Sequence, residues 1–399
     1  MGGQSLPRDG TAITLAINRV EPDKAAKTFQ VHAGTRWFQV IGALDPIGFS
    51  PAVMQSNADF GVASTFSVNA HGWPVPYGPF GATVRVIDMM LADGTLVRCS
   101  RTENAELFKL AMGGYGYFGI ILKLEVEMVE NRLLQPTFEV KPSRDFALRF
   151  VAAANDPAVR MLYGRLSVAE QDFFGQSILV SYRAAPGPTG SLPPVTHGGF
   201  ASSLSRQIYR AQVGSDFAKR ARWLAETVVG PATSSGIATR NALMSEPVSN
   251  LASPDRSRTD ILHEYFVPPD KFGEFIEACR NLIPKSGQEL LNITLRYVAA
   301  DGESVMSFAP APRIAGVMSF AQMITPEAEA SMLRLTEALI ERVAALGGSF
   351  YLPYRLHARR DQVARTYPGT EAFVARKRHY DPSLVFQNAM WTTYFAPIA

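Results

Sequence analysis

The sequence predicts an α+β protein of two domains, and three observations support this fold class. Residues 120–128 alternate apolar and charged side chains, as in a strand with one buried face. Residues 261–354 alternate apolar strand patterns with two helical patterns, which is typical of an antiparallel sheet backed by helices. The chain has 399 residues, which is enough for two hydrophobic cores.

The composition indicates a globular protein that acts on a small molecule. Hydrophobic residues make up 47% of the chain, and 39 basic and 36 acidic residues give a net charge of +3. This charge is too small to indicate a nucleic acid or an acidic surface as the partner. The cysteines, Cys99 and Cys279, are far apart and lack a partner motif, so neither a disulfide nor a cysteine metal site is expected.

The sequence predicts neither a membrane-spanning helix nor a secretory signal. No apolar run approaches the roughly 20 residues that a membrane span needs, and the first residues do not resemble a secretory signal. A cytoplasmic protein is therefore expected, and its oligomeric state stays open. The glycine pair in Met1-Gly2-Gly3-Gln4-Ser5 is typical of a loop between two elements, so we expect that an element before Met1 is missing.

The first domain is predicted to span residues 1–133. Strand patterns at 13–17 and 28–33 precede a helix at 37–44 that Thr35 would cap. Asp93-Gly94 then joins strands 84–91 and 95–99 in a hairpin. A helix at 106–112, with Asn104 as its cap, ends at Gly113-Gly114 before the strand at 120–128.

The second domain is predicted to span residues 134–380, after a linker marked by Pro136 and Pro142. A helix at 144–154 opens it, and a long polar excursion over 184–260 is expected to form a lid. The remaining pattern predicts strands at 261–267, 290–298, 316–323 and 349–354, and helices at 271–282, 327–346 and 361–380. Residues 381–399 form an uncharged aromatic tail after Asp381, which we expect to be docked on the protein.

Residues Gly114 to Gly119 satisfy the pattern G-x-G-x-x-G without predicting a Rossmann site. A Rossmann loop follows a strand and opens a helix, whereas here a helix precedes the loop and a strand follows it. One interpretation of the glycines is a helix C-cap with a tight turn. Because four glycines occur in seven residues, we favour close backbone approach to a flat or phosphorylated ligand.

A run of small and hydroxylated residues, Ser64 to Gly72, offers a second candidate site. Such a run can wrap a diphosphate with its backbone N–H groups, or it can be a polar loop of an ordinary sheet. His71 within it is a candidate general acid or base, a donor that orients a ligand, or a hydrogen-bonded loop histidine. No second histidine or carboxylate stands at metal spacing, so no metal site is expected.

In combination, these stretches resemble the PCMH-type FAD-binding domain of the vanillyl-alcohol-oxidase family, which includes sugar-alcohol, aldonolactone and decaprenylphosphoryl-ribose oxidases. The matching stretches are Ser64–Gly72, Gly78–Gly81, Leu91–Gly94, Asn104–Phe108 and Gly113–Ile120. The resemblance covers the first third of the chain well and the rest loosely. It implies that an FAD-binding domain, incomplete at its N-terminal side, is followed by an α+β substrate domain, with the tail packing back near the flavin.

The resemblance also implies which residues contact FAD. These are Gln55, Ser64, Thr65, Asn69, His71, Gly72, Gly114, Gly119, Ile120 and Asn388. A second pyrophosphate loop of the family resembles G-x-x-H-S-M-G-G-Q, and the chain begins within it at Gly2, Gly3, Gln4 and Ser5. The histidine that carries the flavin covalently in some relatives would precede Met1. Ala63-Ser64 also stands where many relatives have two glycines.

The substrate side departs from the family. Sugar-alcohol oxidases have a Glu-x-Arg pair on a strand that faces the flavin; the similar strand here keeps Arg296 but has Thr294 in place of the carboxylate. The strand from Tyr351 to His357 is similar to the one that presents a catalytic lysine in the ribose oxidases, and it has no lysine. The substrate is therefore not carried over.

The resulting hypothesis is an FAD-dependent oxidoreductase that oxidises a CH–OH donor, such as a polyol, sugar or aldonolactone. Arg296 would hold the substrate oxygen or the charge of the reduced flavin, with Thr294 beside it. His357, His71 or Tyr351 would assist proton transfer. For each of these residues a packed or surface role is the alternative. Two other readings stay open, namely a different donor such as an amine or a lipid-linked sugar, and a flavin-less binding protein.

Overall fold

The computed structural model describes residues 10–185, 192–195, 207–233, 236–248 and 255–396, and these form an α+β fold built on two antiparallel sheets. The strands of the first sheet are β1 (Val20–Asp23), β2 (Thr28–His32), β3 (Phe49–Pro51), β4 (Val84–Met90), β5 (Leu96–Ser100) and β6 (Ile120–Glu130). Their order is β1-β2-β6-β4-β5, and β3 pairs with the end of β6. The predicted hairpin and the half-buried strand at 120–128 are both confirmed.

Three helices accompany the first sheet: α1 (Trp37–Leu44), α2 (Val62–Ser67) and α3 (Ala105–Ala111). The apolar side of α1 is buried as its spacing predicted, but Arg36 rather than Thr35 occupies the N-cap position. Asn104 precedes α3 in a left-handed conformation, and its side chain donates to the carbonyl of Arg98 instead of capping the helix. Residues 64–67, predicted as a loop or strand, are helical.

The predicted strand at residues 13–17 is wrong. Residues 11–19 carry no regular structure, and the sheet begins with β1 at Val20. Ile13 and Ile17 are each 66% exposed, so their alternation buries no apolar face. The carbonyl of Ile17 instead accepts from the N–H of Gly34, which fixes the segment beside the first turn of the sheet.

The second sheet has eight strands, in the order β10-β7-β9-β8-β12-β13-β11-β14 within the described residues. They are β7 (Leu133–Pro142), β8 (Val159–Leu166), β9 (Gln176–Ala184), β10 (Ala238–Thr239), β11 (Arg258–Val267), β12 (Glu289–Val298), β13 (Arg313–Met323) and β14 (Ser349–Phe350). The strand predicted at 349–354 is shorter, because only its first two residues pair with β11.

The segment that its prolines mark as a linker is strand β7. Pro136 and Pro142 lie within β7, in register with Tyr182 and Gln176 of β9. On its other side β7 pairs with β10 only at Leu133 and Leu134. Beyond those two residues β7 is an edge strand, where a proline can occur without removing a hydrogen bond from the ladder.

Eight further helices belong to the second half of the described chain. They are α4 (Phe146–Ala154), α5 (Asp216–Leu224), α6 (Gly230–Thr233), α7 (Arg240–Leu243), α8 (Phe272–Leu282), α9 (Pro326–Ala345), α10 (Arg360–Thr366) and α11 (Thr370–Tyr380). The single tail helix predicted at 361–380 is thus two helices. None of the helices in the described residues is both long and apolar enough to cross a membrane.

The two faces of the second sheet have different neighbours. Phe146 of α4 and Phe275 of α8 pack where Gly164 and Gly316 leave room on one face. The opposite face carries polar side chains, and the described part of the predicted lid packs on it. There the Tyr209 hydroxyl donates to Ser319 at 2.7 Å and Arg222 donates to Asn292 at 3.2 Å. The predictions for 186–191, 196–206, 234–235 and 249–254 fall outside the described residues.

The C-terminal tail docks against the glycine-rich loop between α3 and β6. The Tyr117 hydroxyl donates to Oδ1 of Asn388 at 2.7 Å, and the Tyr117 ring lies 5.3 Å from that of Trp391. Lys377, fully buried, donates to the carbonyl of Tyr117 at 2.8 Å and forms an ion pair with Asp381. The tail, the glycine-rich loop and α11 are therefore held together by one group of polar contacts within an aromatic cluster.

Replacing Lys377 with methionine should lower the free energy of unfolding by about 3–5 kcal/mol, because Asp381 would keep a buried charge without its cation. The measurement is denaturant unfolding of the full chain. Arg85→Met is the matched control, since Arg85 pairs with Glu127 at the surface and such pairs contribute at most about 1 kcal/mol. Equal losses in both variants would contradict this role of Lys377.

Candidate active site

The candidate site lies where the segment after α2 meets β11 of the second sheet. The Nε2 atom of His71 is hydrogen-bonded to Oε1 of Glu264. Both side chains are buried, at 8% and 4% exposure. The rings of Phe266 and Phe308 lie 5.5 Å and 6.1 Å from the imidazole and complete an apolar wall around the pair. Each of the two groups is thus the main polar partner of the other.

The alternation of β11 directs Glu264 to this site. His263 and Tyr265 share the face that carries the helices, and the Tyr265 hydroxyl lies 3.0 Å from Nδ1 of His263. Glu264, between them in sequence, faces the other way toward His71. Because burial lowers the pKa of His263 to about 3, that neighbouring imidazole stays neutral and adds no charge next to Glu264.

Two tyrosines from the segment after β14 hold the same site. The hydroxyl of Tyr354 donates to Oε2 of Glu264 at 3.2 Å. The hydroxyl of Tyr351 donates to the carbonyl of Val68 at 2.8 Å, and the two tyrosine rings are 5.3 Å apart. Burial raises the pKa of both phenols well above the ordinary value, so both stay protonated hydrogen-bond donors.

Arg296 on β12 brings a positive charge to the site. One guanidinium nitrogen, Nη2, donates to the hydroxyl of Ser56, while Nη1 is buried without a partner. Burial lowers the pKa of Arg296, and the nearby charge of Glu264 opposes this shift. An arginine remains protonated under these conditions, so Nη1 is an N–H donor without an acceptor among the residues that the structure describes.

The sheet register connects Glu264 with Thr294, the position at which the Glu-x-Arg motif of sugar-alcohol oxidases has its carboxylate. Thr294 of β12 pairs with Val317 of β13, and Val317 pairs with Glu264 of β11. The three residues therefore form one row on one face, with Thr294 and Glu264 roughly 10 Å apart at two strand spacings. A carboxylate is present on this face, contributed by a different strand.

Among the described residues, buried nitrogen atoms near His71 have no hydrogen-bond partner; three of them are Nδ1 of His71, Nε1 of Trp73 and Nη1 of Arg296. Buried polar groups in native proteins are nearly always hydrogen-bonded, so these three indicate a ligand with several acceptor and donor atoms. The isoalloxazine of FAD and an oxygen-bearing substrate both have such atoms. In chemical terms the residues present therefore fit FAD together with a polar substrate.

The hydroxyl and amide residues that the resemblance implies at FAD are close together but are already bonded within the protein. The Thr65 hydroxyl donates to Gln55 or to the carbonyl of Gly61 and accepts from Trp37 at 2.9 Å. The Ser64 hydroxyl donates to the carbonyl of Gly61 at 2.8 Å. Much of their backbone is bonded as well, since the N–H of Thr65 donates to Gly61 and the carbonyls of Ser64 and Thr65 accept from Val68 and Ala70.

Asn69 connects the two halves of the site. Its Oδ1 accepts from the N–H of Gly81 at 2.8 Å, and its Nδ2 donates to Asp301 at 3.0 Å. Its backbone is left-handed, with φ of 44°, a conformation that asparagine tolerates better than most residues. The side chain therefore orients the turn that leads to His71.

Glycine is required at three of the predicted positions by the packing of the chain on itself. A Cβ atom would lie 2.1 Å from the carbonyl oxygen of Met54 at Gly72, and 2.0 Å from that of Leu110 at Gly114. At Gly119, φ is 157° and a Cβ atom would lie 2.6 Å from the carbonyl oxygen of Met90. These contacts give the glycines a structural role without a ligand.

The remaining predicted residues lie at other places in the fold. Ile120 begins β6 opposite Met90 of β4. Asn388 holds the tail on the glycine-rich loop. His357 lies on the helix side of the second sheet, where Nε2 bonds to Glu329 at 2.8 Å and Nδ1 contacts Thr336 at 3.4 Å. Gly2, Gly3, Gln4 and Ser5 lie outside the described residues.

Sequence reasoning missed Glu264, Tyr354 and Trp73. The signal for Glu264 was its position in an otherwise apolar strand, where a charged residue needs a buried partner. Tyr354 carried no signal, because its contact depends on a turn that breaks the predicted strand. Trp73 directly follows the His71-Gly72 motif and was passed over as ordinary loop sequence.

Comparison with known proteins bears on this site. A family model described as an FAD binding domain matches residues 1–100. The chain is 25% identical to cytokinin dehydrogenase 3 of Arabidopsis thaliana over 425 residues, 96% of this chain and 77% of that protein. It is 29% identical to L-gulonolactone oxidase of Mus musculus, over 33% of this chain and 30% of that one. It is 30% identical to alditol oxidase of Streptomyces sp. over 37% and 35% of the two chains.

A solved structure agrees with these matches at the level of the fold. The crystal structure of 6-hydroxy-D-nicotine oxidase from Arthrobacter nicotinovorans superposes with a TM-score of 0.60 at 18% identity. The superposition covers 95% of this chain and 81% of that one. With two of the three curated relatives, the aligned part spans only about a third of the relative's length.

Replacing Gly72 with alanine should lower the free energy of unfolding by about 1–3 kcal/mol, because the new methyl group overlaps the carbonyl of Met54. The same change should displace His71 and weaken FAD binding, measured by flavin absorbance after gel filtration. Gly42→Ala is the matched control: it is in the exposed interior of α1 with no atom within 4 Å, and should stabilise by about 0.5–1 kcal/mol. A Gly72→Ala protein as stable as the parent would refute the packing role.

Proposed function

We propose that this chain, an FAD-linked oxidase or dehydrogenase of the vanillyl-alcohol-oxidase type, oxidises a CH–OH donor such as a polyol, a sugar or an aldonolactone. The observation that carries the choice of donor is the buried group of His71, Glu264 and Arg296. It combines a proton acceptor with an N–H donor, the two groups that an alcohol needs when it loses a proton and a hydride.

His71 is the proton acceptor in this proposal. When Nε2 carries the imidazole proton and donates it to Glu264, Nδ1 keeps a free lone pair, and no described residue bonds to this atom. Glu264 fixes that tautomer and stabilises the imidazolium that forms when Nδ1 takes the hydroxyl proton. Tyr354 holds the second oxygen of Glu264 and so fixes the carboxylate in place.

Arg296 orients and polarises the donor oxygen. Its free Nη1 donates a charge-assisted hydrogen bond, which is stronger for the developing alkoxide than for the neutral hydroxyl. Its other nitrogen is fixed on Ser56, so the guanidinium is already in position before the donor binds. Bound FAD supplies the two-electron acceptor that takes the hydride from the donor carbon.

The permanent charge of Arg296 also favours an alcohol over a cationic amine. A protonated amine bound beside a half-paired guanidinium would suffer like-charge repulsion in a site that excludes water. A nitrogen-containing donor is the second candidate, supported by Glu264 and by the names of two similar proteins, a cytokinin dehydrogenase and a 6-hydroxy-D-nicotine oxidase. Such a donor would have to bind beside the carboxylate as the neutral amine.

The donor class is tested by mixing the FAD-loaded chain with candidate donors in the absence of oxygen. Polyols or aldonolactones should bleach the flavin absorbance, whereas secondary amines should not. Bleaching by amines alone would select the second candidate. A chain that takes up no FAD, and shows no yellow absorbance after FAD is added, would contradict both.

Glu264→Gln should slow flavin reduction about 10²- to 10⁴-fold, the usual contribution of general acid–base catalysis, while FAD remains bound. Rapid-mixing absorbance at several pH values measures the rate. Glu329→Gln is the matched control, because that carboxylate holds His357 on the helix side of the sheet and is expected to leave the rate unchanged. A larger loss in Glu329→Gln than in Glu264→Gln would assign proton transfer to His357 instead.

A further inference from the structure

Trp73 directly follows the His71-Gly72 motif and lies on the side of the site where the donor is proposed to bind. The backbone carbonyl of Trp73 accepts from the N–H of Leu162 at 3.0 Å, and Pro74 forms an isolated bridge to Met161. These two contacts join residues 73–74 of the first unit, which is the first sheet with α1–α3, to β8 of the second unit, which is the second sheet with α4–α11. Trp73 is therefore held between the two units, two residues from His71.

The indole of Trp73 lies in a group of aromatic rings on the polar face of the second sheet. Its ring is 5.3 Å from that of Tyr163 and 5.7 Å from that of Tyr182, with both pairs edge-on. The guanidinium of Arg165 lies 5.7 Å from the Tyr163 ring. Burial raises the pKa of both tyrosines, with Arg165 opposing the shift, so their hydroxyls stay neutral.

The sheet register places this aromatic wall beside Arg296. Arg165 of β8 pairs with Thr294 of β12, and Gly164 pairs with Leu295. Tyr163 is two residues from Arg165, and Arg296 is two residues from Thr294, so both side chains lie on the same face of the sheet as that pair. Nε1 of Trp73, beside Tyr163, and Nη1 of Arg296 therefore lie on the same side of the second sheet.

The guanidinium of Arg165, on the same surface, already has partners within the protein. Arg165 donates to Asn292 at 2.8 Å and lies 3.5 Å from Glu226, which also pairs with Arg222. Nε1 of Trp73, by contrast, is a buried donor without an acceptor in the described part of the chain, so it can bind an oxygen of a ligand. An oxygen bound there must be a second one, since Arg296 and His71 take the oxygen that reacts.

We propose that Trp73 determines donor specificity: its indole N–H binds a second oxygen of a polyhydroxylated ring that lies against Tyr163 and Tyr182. This inference rests on the proposed oxidation of a CH–OH donor and narrows it to ring compounds with a hydroxyl or carbonyl oxygen next to the reacting carbon. An analogue that lacks the second oxygen leaves the buried indole N–H of Trp73 without an acceptor and therefore binds more weakly. Trp73 thus contributes to selectivity as well as to affinity.

The test compares L-gulono-1,4-lactone with cyclopentanol, a five-membered ring alcohol that has the reacting oxygen alone. Each probe is titrated into the full chain, nitrogen-15 labelled and loaded with reduced FAD, which cannot oxidise the probe. The lactone should shift the indole N–H resonance that disappears in Trp73→Phe and leave the other three tryptophans unchanged. Trp73→Phe should weaken lactone binding about tenfold and leave cyclopentanol binding unchanged.

Trp223→Phe is the matched control, because that indole N–H is already bonded to Gln176 at 3.2 Å and should not affect binding of either probe. If the lactone reduces the oxidised flavin but neither shifts the Trp73 resonance nor binds Trp73→Phe more weakly, the specificity role is overturned and the CH–OH oxidation stands. Equal weakening of both probes in Trp73→Phe would also overturn it, as a purely packing effect. If the lactone neither binds nor reduces the flavin, while an amine does, both proposals fall.

Discussion

The contact between His71 and Glu264 is the constraint on which the candidate site depends. Burying two ionisable groups is costly, and the cost is recovered only when both partners are present with good geometry. His71 belongs to the first unit and Glu264 to the second, so their pairing requires the two units to be closed. Asn69 with Asp301, and Tyr351 with the carbonyl of Val68, connect the same short segment to the second unit. The site therefore exists only as part of this interface.

The glycines and the C-terminal tail support that segment from behind. Gly72 allows the chain to pass directly over the carbonyl of Met54, and Gly113 donates its N–H to Phe66 at the end of α2. Tail residues anchor the next part of the loop through Asn388 and Lys377. These residues have no acid–base role of their own, yet each fixes backbone within a few residues of His71 or of the predicted FAD contacts.

Much of the FAD-binding half was predictable from sequence, because its strands alternate and its hairpin and helix ends carry Asp-Gly and Gly-Gly signals. Strand β7 was hidden by two prolines that only an edge strand accepts. The pairing of Glu264 was hidden for another reason: it depends on which strands lie side by side, and 193 residues separate it from His71. His357 looked equivalent to His71 in sequence, but it lies in an irregular segment after β14, and its contacts with Glu329 and Thr336 of α9 hold it on the other side of the sheet.

The row of Thr294, Val317 and Glu264 has a consequence for how such enzymes diverge. The place of a side chain in a sheet depends on its position along a strand and on which strand carries it. A sequence motif such as Glu-x-Arg specifies only the position along the strand. Moving a carboxylate across the ladder while keeping its row preserves the face and the level at which it meets a bound cofactor. A linear motif can thus be absent from a sequence while a carboxylate remains on the same face of the sheet, two strands away.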